Sequence, residues 1–216
     1  MIKFKTILEK ELSAEIVEKK SRFIANLFYV DSVEEAEEKI KITKKRYYDA
    51  KHNCFAYIVN DDKVFIKKSS DDGEPSGTAG APMVEILEKQ GLANLLIVVT
   101  RYFGGILLGT GGLVRAYSDS LKKALEKATI VELEQGFELD VELEYSNFEK
   151  FKYYCSKNNI NIINCTYLNN VICKIELNEI EKEKLENDFY NQNILKINKI
   201  NKVRQRNIAI MSKFVD

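Results

Sequence analysis

Two segments hold most of the residues able to do chemistry. The first, Ser69 to Gly80 (SSDDGEPSGTAG), brings Asp71, Asp72 and Glu74 together with Ser76, Thr78 and three glycines. An oxygen-rich loop of this kind can ligate a hard cation such as Mg²⁺, or accept hydrogen bonds from the start of a following helix. The EF-hand order of ligands is missing, which excludes calcium of that type. The bland reading is a tight surface turn.

The second segment, Thr100 to Tyr117 (TRYFGGILLGTGGLVRAY), reads as a buried strand passing through glycines into a helix. Such a passage can carry backbone N–H groups to a phosphate or another anion. Candidate anion-binding residues are Arg101, Gly104, Gly105, Gly109, Gly111, Gly112 and Arg115. Gly111-Gly112 is followed by Leu113 where a Walker loop needs Lys-Ser/Thr, and position 114 is Val114 where a dinucleotide fingerprint from Gly109 needs glycine. Two compatible readings stay open. Either the glycines form an anion nest flanked by Arg101 and Arg115, or they only allow tight packing while the two arginines pair with Asp71, Asp72 or Glu74. A serine hydrolase of Ser76, His52 and an aspartate is disfavoured, since no G-x-S-x-G elbow surrounds Ser76. His52 reads instead as a strand-edge residue bonding to the acidic loop.

Both segments need elements to hold them. Ala14–Glu18 and Arg22–Val30 read as strands around a polar turn, and Ser32-x-x-Glu35 opens a helix through Tyr47 as a capping box. His52–Val59 and Lys63–Lys68 read as a hairpin turning at Asn60-Asp61-Asp62. After a loop from Ser69 to Pro82 come a short helix (Met83–Gln90), a strand buried on both faces (Asn94–Phe103) and a helix from about Leu113 to Ala128. Nine of the ten glycines and both prolines lie between Gly73 and Gly112, so backbone freedom is concentrated where the two candidate segments are.

Beyond Gly136 the composition shifts toward Asn, and the pattern becomes strand (Phe137–Tyr145), helix (Asn147–Asn158), two strands (Ile160–Leu168, Val171–Leu177), helix (Glu179–Tyr190) and strand (Ile194–Ile200). That order is the ferredoxin-like βαββαβ. The expected organisation is therefore α+β, with domains at 1–136 and 137–202 and a weakly patterned tail at 203–216. Lys202, Arg204 and Arg206 read as a solvated basic end.

Charge narrows the function classes. Lys+Arg and Asp+Glu are 33 each, so the chain is no polybasic coat for nucleic acid, and any such contact must be local. No apolar run reaches membrane-spanning length and the N-terminus carries acids where a signal peptide is apolar, so a cytoplasmic location with no membrane contact is expected. Cys54, Cys155, Cys165 and Cys173 contain no C-x-x-C pair and read as buried free thiols rather than zinc ligands.

The motifs KKSRFIA (Lys19–Ala25), HNCFAY (His52–Tyr57), DDGEPSGTAGAP (Asp71–Pro82) and VVTRYFGGILLGTGGLVRAY (Val98–Tyr117) together resemble the YigZ/IMPACT family. The resemblance spans roughly residues 15 to 128, and the C-terminal half is similar in pattern to the fifth domain of elongation factor G. It implies a first domain with the fold of the second domain of a small-subunit ribosomal protein, a sheet with helices on one face. Eukaryotic members modulate translation by competing for an activator of a kinase that phosphorylates an initiation factor, and the family brings no established catalytic residues. The leading expectation is an RNA- or ribosome-associated protein in translation regulation that holds phosphates on Arg101, Arg115 and the glycines. One alternative is a Mg²⁺-dependent enzyme or binding protein for a phosphorylated small molecule, with the metal on Asp71, Asp72 and Glu74. The other is a protein–protein adaptor. No complete catalytic constellation is present and no cofactor is required, which favours binding over catalysis.

Overall fold

Alternation of apolar and polar residues builds the first half of the chain. A computed structural model describes residues 3–61, 64–190 and 197–209. The first unit, Phe4–Glu132, contains β1 (Lys3–Ile7), β2 (Glu11–Glu18), β3 (Ser21–Tyr29), α1 (Val33–Arg46), β4 (His52–Asp61), β5 (Val64–Ser70), α2 (Gly80–Lys89), β6 (Leu95–Tyr102) and α3 (Gly109–Leu125). Strands β2 to β6 form one antiparallel sheet in the order β2-β3-β6-β4-β5. The tip of the β4–β5 hairpin, including Asp62, lies outside the described residues. Alternation did not reveal β1, which is held by Lys5 N donating to Gly91 O and Ala93 N donating to Lys5 O.

Strand β6 sits at the centre and is buried from Leu95 to Arg101. The unbroken apolar run Leu95 to Val99 needs cover on both faces. Helix α1 supplies one: Ala36 and Ile40 pack with Phe28, Phe55, Tyr57, Leu96 and Val98. The alternate residues face α3, where Tyr117 meets the Phe23 ring edge-on and bonds Cys54. On β5 the neighbours Lys67 and Lys68 reach Glu88 of α2 and Glu37 of α1, so α2 and α3 share the face opposite α1. The α+β class stands, but helices cover both faces of the sheet, which corrects the expected one-sided cover. The physical reason is the unbroken apolar run of β6.

The start of α1 is readable from its cap. Ser32 Oγ accepts from Glu35 N at 3.1 Å, while the Glu35 carboxylate reaches back to Asp31 N at 3.1 Å, one residue before the position a capping box uses. Helix α2 begins at Gly80, earlier than Met83, with Pro82 accommodated in the first turn where its missing N–H costs nothing.

The second unit, Leu133–Asp216 with Met1–Lys3, contains β7 (Ile130–Leu143, which enters from the first unit), α4 (Tyr145–Lys157), β8 (Asn161–Tyr167), β9 (Val171–Asn178), α5 (Glu179–Tyr190) and β10 (Lys199–Ala209). Strand β7 belongs to a five-stranded sheet that also takes in β1, and within it the order β10-β7-β9-β8, with these three pairings antiparallel, is the ferredoxin-like arrangement. Leu139, Val141, Cys173, Ile175, Phe151 and Leu185 fill its core. The division expected after Gly136 falls inside β7, because Gly136 is a ladder residue opposite Asn178 rather than a break. The expected tail from 203 is strand through Ala209, so Lys202, Arg204 and Arg206 lie on β10. A register shift between Asn201 and Arg204 interrupts the period-two pattern, which hid the continuation of the strand past Ile200. Residues 194–196 of the expected last strand and 210–216 of the tail lie outside the described residues.

Candidate functional site

Between β5 and α2 the acidic loop is built around its own carboxylates. Asp71 Oδ1 accepts from Ala79 N (2.9 Å) and Gly80 N (2.8 Å), and Oδ2 accepts from Gly77 N (2.8 Å). It thereby caps α2 from nine residues upstream. Burial pushes this carboxyl up, but the three backbone N–H groups outweigh it and hold Asp71 below the usual carboxylate range. Asp72, at φ +42°, receives Lys44 Nζ at 2.6 Å and Asn53 N at 2.7 Å. His52 donates from Nδ1 to the Asp72 carbonyl at 2.9 Å. Thr78 Oγ1 donates to Pro75 O at 2.7 Å.

Glu74 turns inward. Its Oε1 accepts from Arg101 Nη1 at 2.6 Å and from Tyr117 Oη at 2.9 Å, while Cys54 Sγ lies 3.3 Å from that hydroxyl and donates to Asp71 O at 3.0 Å. The Arg101 guanidinium also lies 5.4 Å from the Phe23 ring centre and 5.5 Å from that of Phe103. Burial raises the Tyr117 hydroxyl, and burial pushes the Cys54 thiol up to about 12, so neither is poised as a nucleophile. Four elements or loops are joined here: the acidic loop, β4, β6 and α3.

Of the two readings open for the arginines, Arg101 follows the packing one, since it is buried and spent on Glu74. Arg115 does not: it is exposed on α3, with no ion pair to a carboxylate among the described residues. Asp71, Asp72 and Glu74 face different partners and form no cation cage. Among the described residues no three His, Cys, Asp or Glu side chains converge as metal ligands. With their oxygens turned to backbone amides, Lys44 and Arg101, the three carboxylates do not fit the Mg²⁺ site that the alternative reading places on them. Ser76 sits on the exposed part of the loop with no hydrogen bond to His52.

The glycines divide in the same way. Gly104 is a packing residue: a Cβ there would lie 2.0 Å from the Lys20 carbonyl carbon, and its N–H donates to Ser21 Oγ at 3.1 Å. Gly112 backs onto the Leu108 side chain. Gly105 and Gly109, at φ +85° and +73°, and the helical Gly111 face open space. Helix α3 starts at Gly109, four residues before the expected Leu113, so Gly109 to Gly112 are its first turn. No side chain caps that turn and it holds no acid, which leaves its N–H groups and the positive end of the helix dipole open to an anion. Phe103 (54% exposed), Leu107 (83%) and Ile106 (43%) lie just before it.

Sequence reasoning missed Tyr117, Cys54, Lys44 and Asn53 as partners of the motif. Tyr117 was visible only as a member of the apolar stripe of α3. The alternation that places His52 and Cys54 on one face of β4 was the available signal for Cys54.

The model of the Impact N-terminal domain matches residues 19–125. IMPACT family member YvyE of Bacillus subtilis is 52% identical over 118 residues, 55% of this chain and 54% of that protein, so the match spans about half the relative's length. IMPACT family member YigZ of Escherichia coli is 38% identical over 161 residues, 74% of this chain and 78% of that protein. A solved hypothetical protein superposes with a TM-score of 0.63 at 31% identity, covering 91% of this chain and 97% of that one. No helix among the described residues is long and apolar enough to cross a membrane. The matched span runs from the Lys19 turn to Leu125, the last residue of α3, and so contains the whole buried network and the whole glycine surface. With the likeness to YigZ over most of both chains, this makes the chain a member of the IMPACT family.

Proposed function

We propose that this protein is a cytoplasmic binding protein of translation regulation that contacts RNA phosphates, on the ribosome or free, through the open end of its first unit. The contact surface is the glycine loop from Phe103 to Leu108, the first turn of α3 and Arg115. The observation that carries this reading is the bare first turn of α3: no side chain and no acid occupies the N–H groups of Gly109 to Gly112. Catalysis finds little support, because the acidic loop and Arg101 are spent on one another and on backbone amides. With one exposed arginine rather than two, the footprint is small and agrees with the balanced net charge. Binding of a fluorescent RNA, measured by anisotropy across a salt series, tests the reading. Arg115→Ala should weaken binding of every sequence alike and reduce the salt slope by about one. Binding that is absent, or indifferent to salt, contradicts it.

Exposed Phe103 and Leu107 favour a second reading, a protein adaptor whose partner covers these apolar side chains. Association that survives nuclease and fails in Leu107→Ser would select that reading instead.

A further inference from the structure

The second unit holds a pair of thiols that the proposed function does not use. Cys165 on β8 and Cys173 on β9 are direct cross-strand partners in the antiparallel ladder, and their sulfurs lie 3.1 Å apart. Strand β8 is the edge of the unit's sheet, with β9 as its neighbour, so Cys165 is partly accessible while Cys173 is buried behind it. A disulfide needs the sulfurs at about 2.05 Å, an approach of roughly 1 Å that side-chain rotation can supply between adjacent strands. Burial first, and then Cys165 itself, push the Cys173 thiol up. Cys173 thus holds its proton firmly, and Cys165, partly accessible on the edge strand, is the sulfur that an oxidant from solvent reaches first. The Lys152 ammonium opposes this rise at Cys173, as the weakest of the influences on it.

We propose that Cys165 and Cys173 are a hydroperoxide-sensitive pair that closes to an intramolecular cross-strand disulfide. The Cys165 thiolate attacks one oxygen of hydrogen peroxide. The O–O bond breaks, hydroxide leaves and takes up the Cys165 proton as water, and Cys165 becomes a sulfenic acid. The Cys173 sulfur then attacks the sulfenic sulfur, the S–O bond breaks, and the departing hydroxide takes the Cys173 proton as a second water. Two thiols are oxidised by two electrons in total and one peroxide is reduced to two waters. A dithiol reductant reverses the bond by exchange, as expected of a disulfide at an accessible strand edge. Cys54 and Cys155, both buried and both pushed up to about 12 by burial, serve as internal controls.

The test uses the full chain. Hydrogen peroxide is titrated onto the native protein, excess is removed, and remaining thiols are alkylated after denaturation. The expected result is loss of two of the four thiols, a non-reduced peptide map linking Cys165 to Cys173, and full recovery with dithiothreitol. Cys165→Ser should form no disulfide, and Cys173→Ser should hold a sulfenic acid on Cys165 that dimedone traps. Retention of all four thiols at a peroxide dose that gives the dimedone adduct in Cys173→Ser overturns the proposal. So does a linkage through Cys54 or Cys155, or one between two chains. The wild-type peptide map decides the matter even if a variant fails to fold.

Discussion

The guanidinium of Arg101 and the carboxylate of Glu74 meet at 2.6 Å with side chains only 7% and 4% exposed. The same Glu74 oxygen accepts from Tyr117, and Phe23 and Phe103 lie near the guanidinium, yet Arg101 Nε has no partner. A buried pair of this kind costs much desolvation to form and more to break, because a lone buried charge is left behind. It ties the acidic loop to β6 and α3, so its contribution is to shape rather than to chemistry.

Glu74→Ala should therefore destabilise the protein by about 3–5 kcal/mol, read from urea unfolding of the full chain. The double variant Glu74→Leu/Arg101→Met should recover most of that loss, since it removes both charges and keeps apolar volume. A double variant as unstable as Glu74→Ala would show that the pair matters for more than charge balance.

Asp71 links stability to acid. Its folded-state carboxyl lies below the ordinary value, so its contribution is fully present above the unfolded value near 3.8 and is lost as pH falls through the folded one. Asp71→Asn keeps an oxygen for Ala79 and Gly80 but turns an NH₂ toward Gly77 N, and should cost about 1–3 kcal/mol at neutral pH. The gap between the two proteins should narrow below about pH 4. Unfolding curves at several pH values check this, and a gap constant with pH would contradict it.

Gly104 and Gly105 are neighbours with different duties. Gly104→Ala drives a Cβ into the Lys20 backbone, which no side-chain rotation relieves, and should cost about 3 kcal/mol or prevent folding. Gly105→Ala meets open space and bears only the strain of φ +85°, about 1 kcal/mol. Equal losses in chemical denaturation would contradict the close approach of the loop after β6 to the Lys19-Lys20 turn.

Much of this architecture is legible without coordinates, and the failures have definite causes. Ser32 and Glu35 announce α1, and the apolar run of β6 announces a central strand covered on both sides. The start of α3 was placed too late because Gly109, Gly111 and Gly112 are poor helix formers, yet in a first turn they cost less than packing returns. The continuation of the last strand beyond Ile200 was lost to the register shift near Asn201. In the site, the choice of Glu74 over Asp71 or Asp72 as partner of Arg101 depends on the reversal of the chain at Gly73, whose φ is +86°. No spacing rule encodes that choice.

Sucrose-gradient sedimentation from native lysate at low and moderate salt, with wild type beside Arg115→Ala and Gly111→Ala, tests the central claim most directly. Gly111→Ala places a methyl in open space at the helix start, so it should leave stability intact while obstructing close approach by a phosphate. Co-migration of wild type with ribosomal particles, weakened by salt and by both substitutions, is the expected result. Wild type remaining at the top of the gradient at low salt, or variants sedimenting just as it does, would contradict the account.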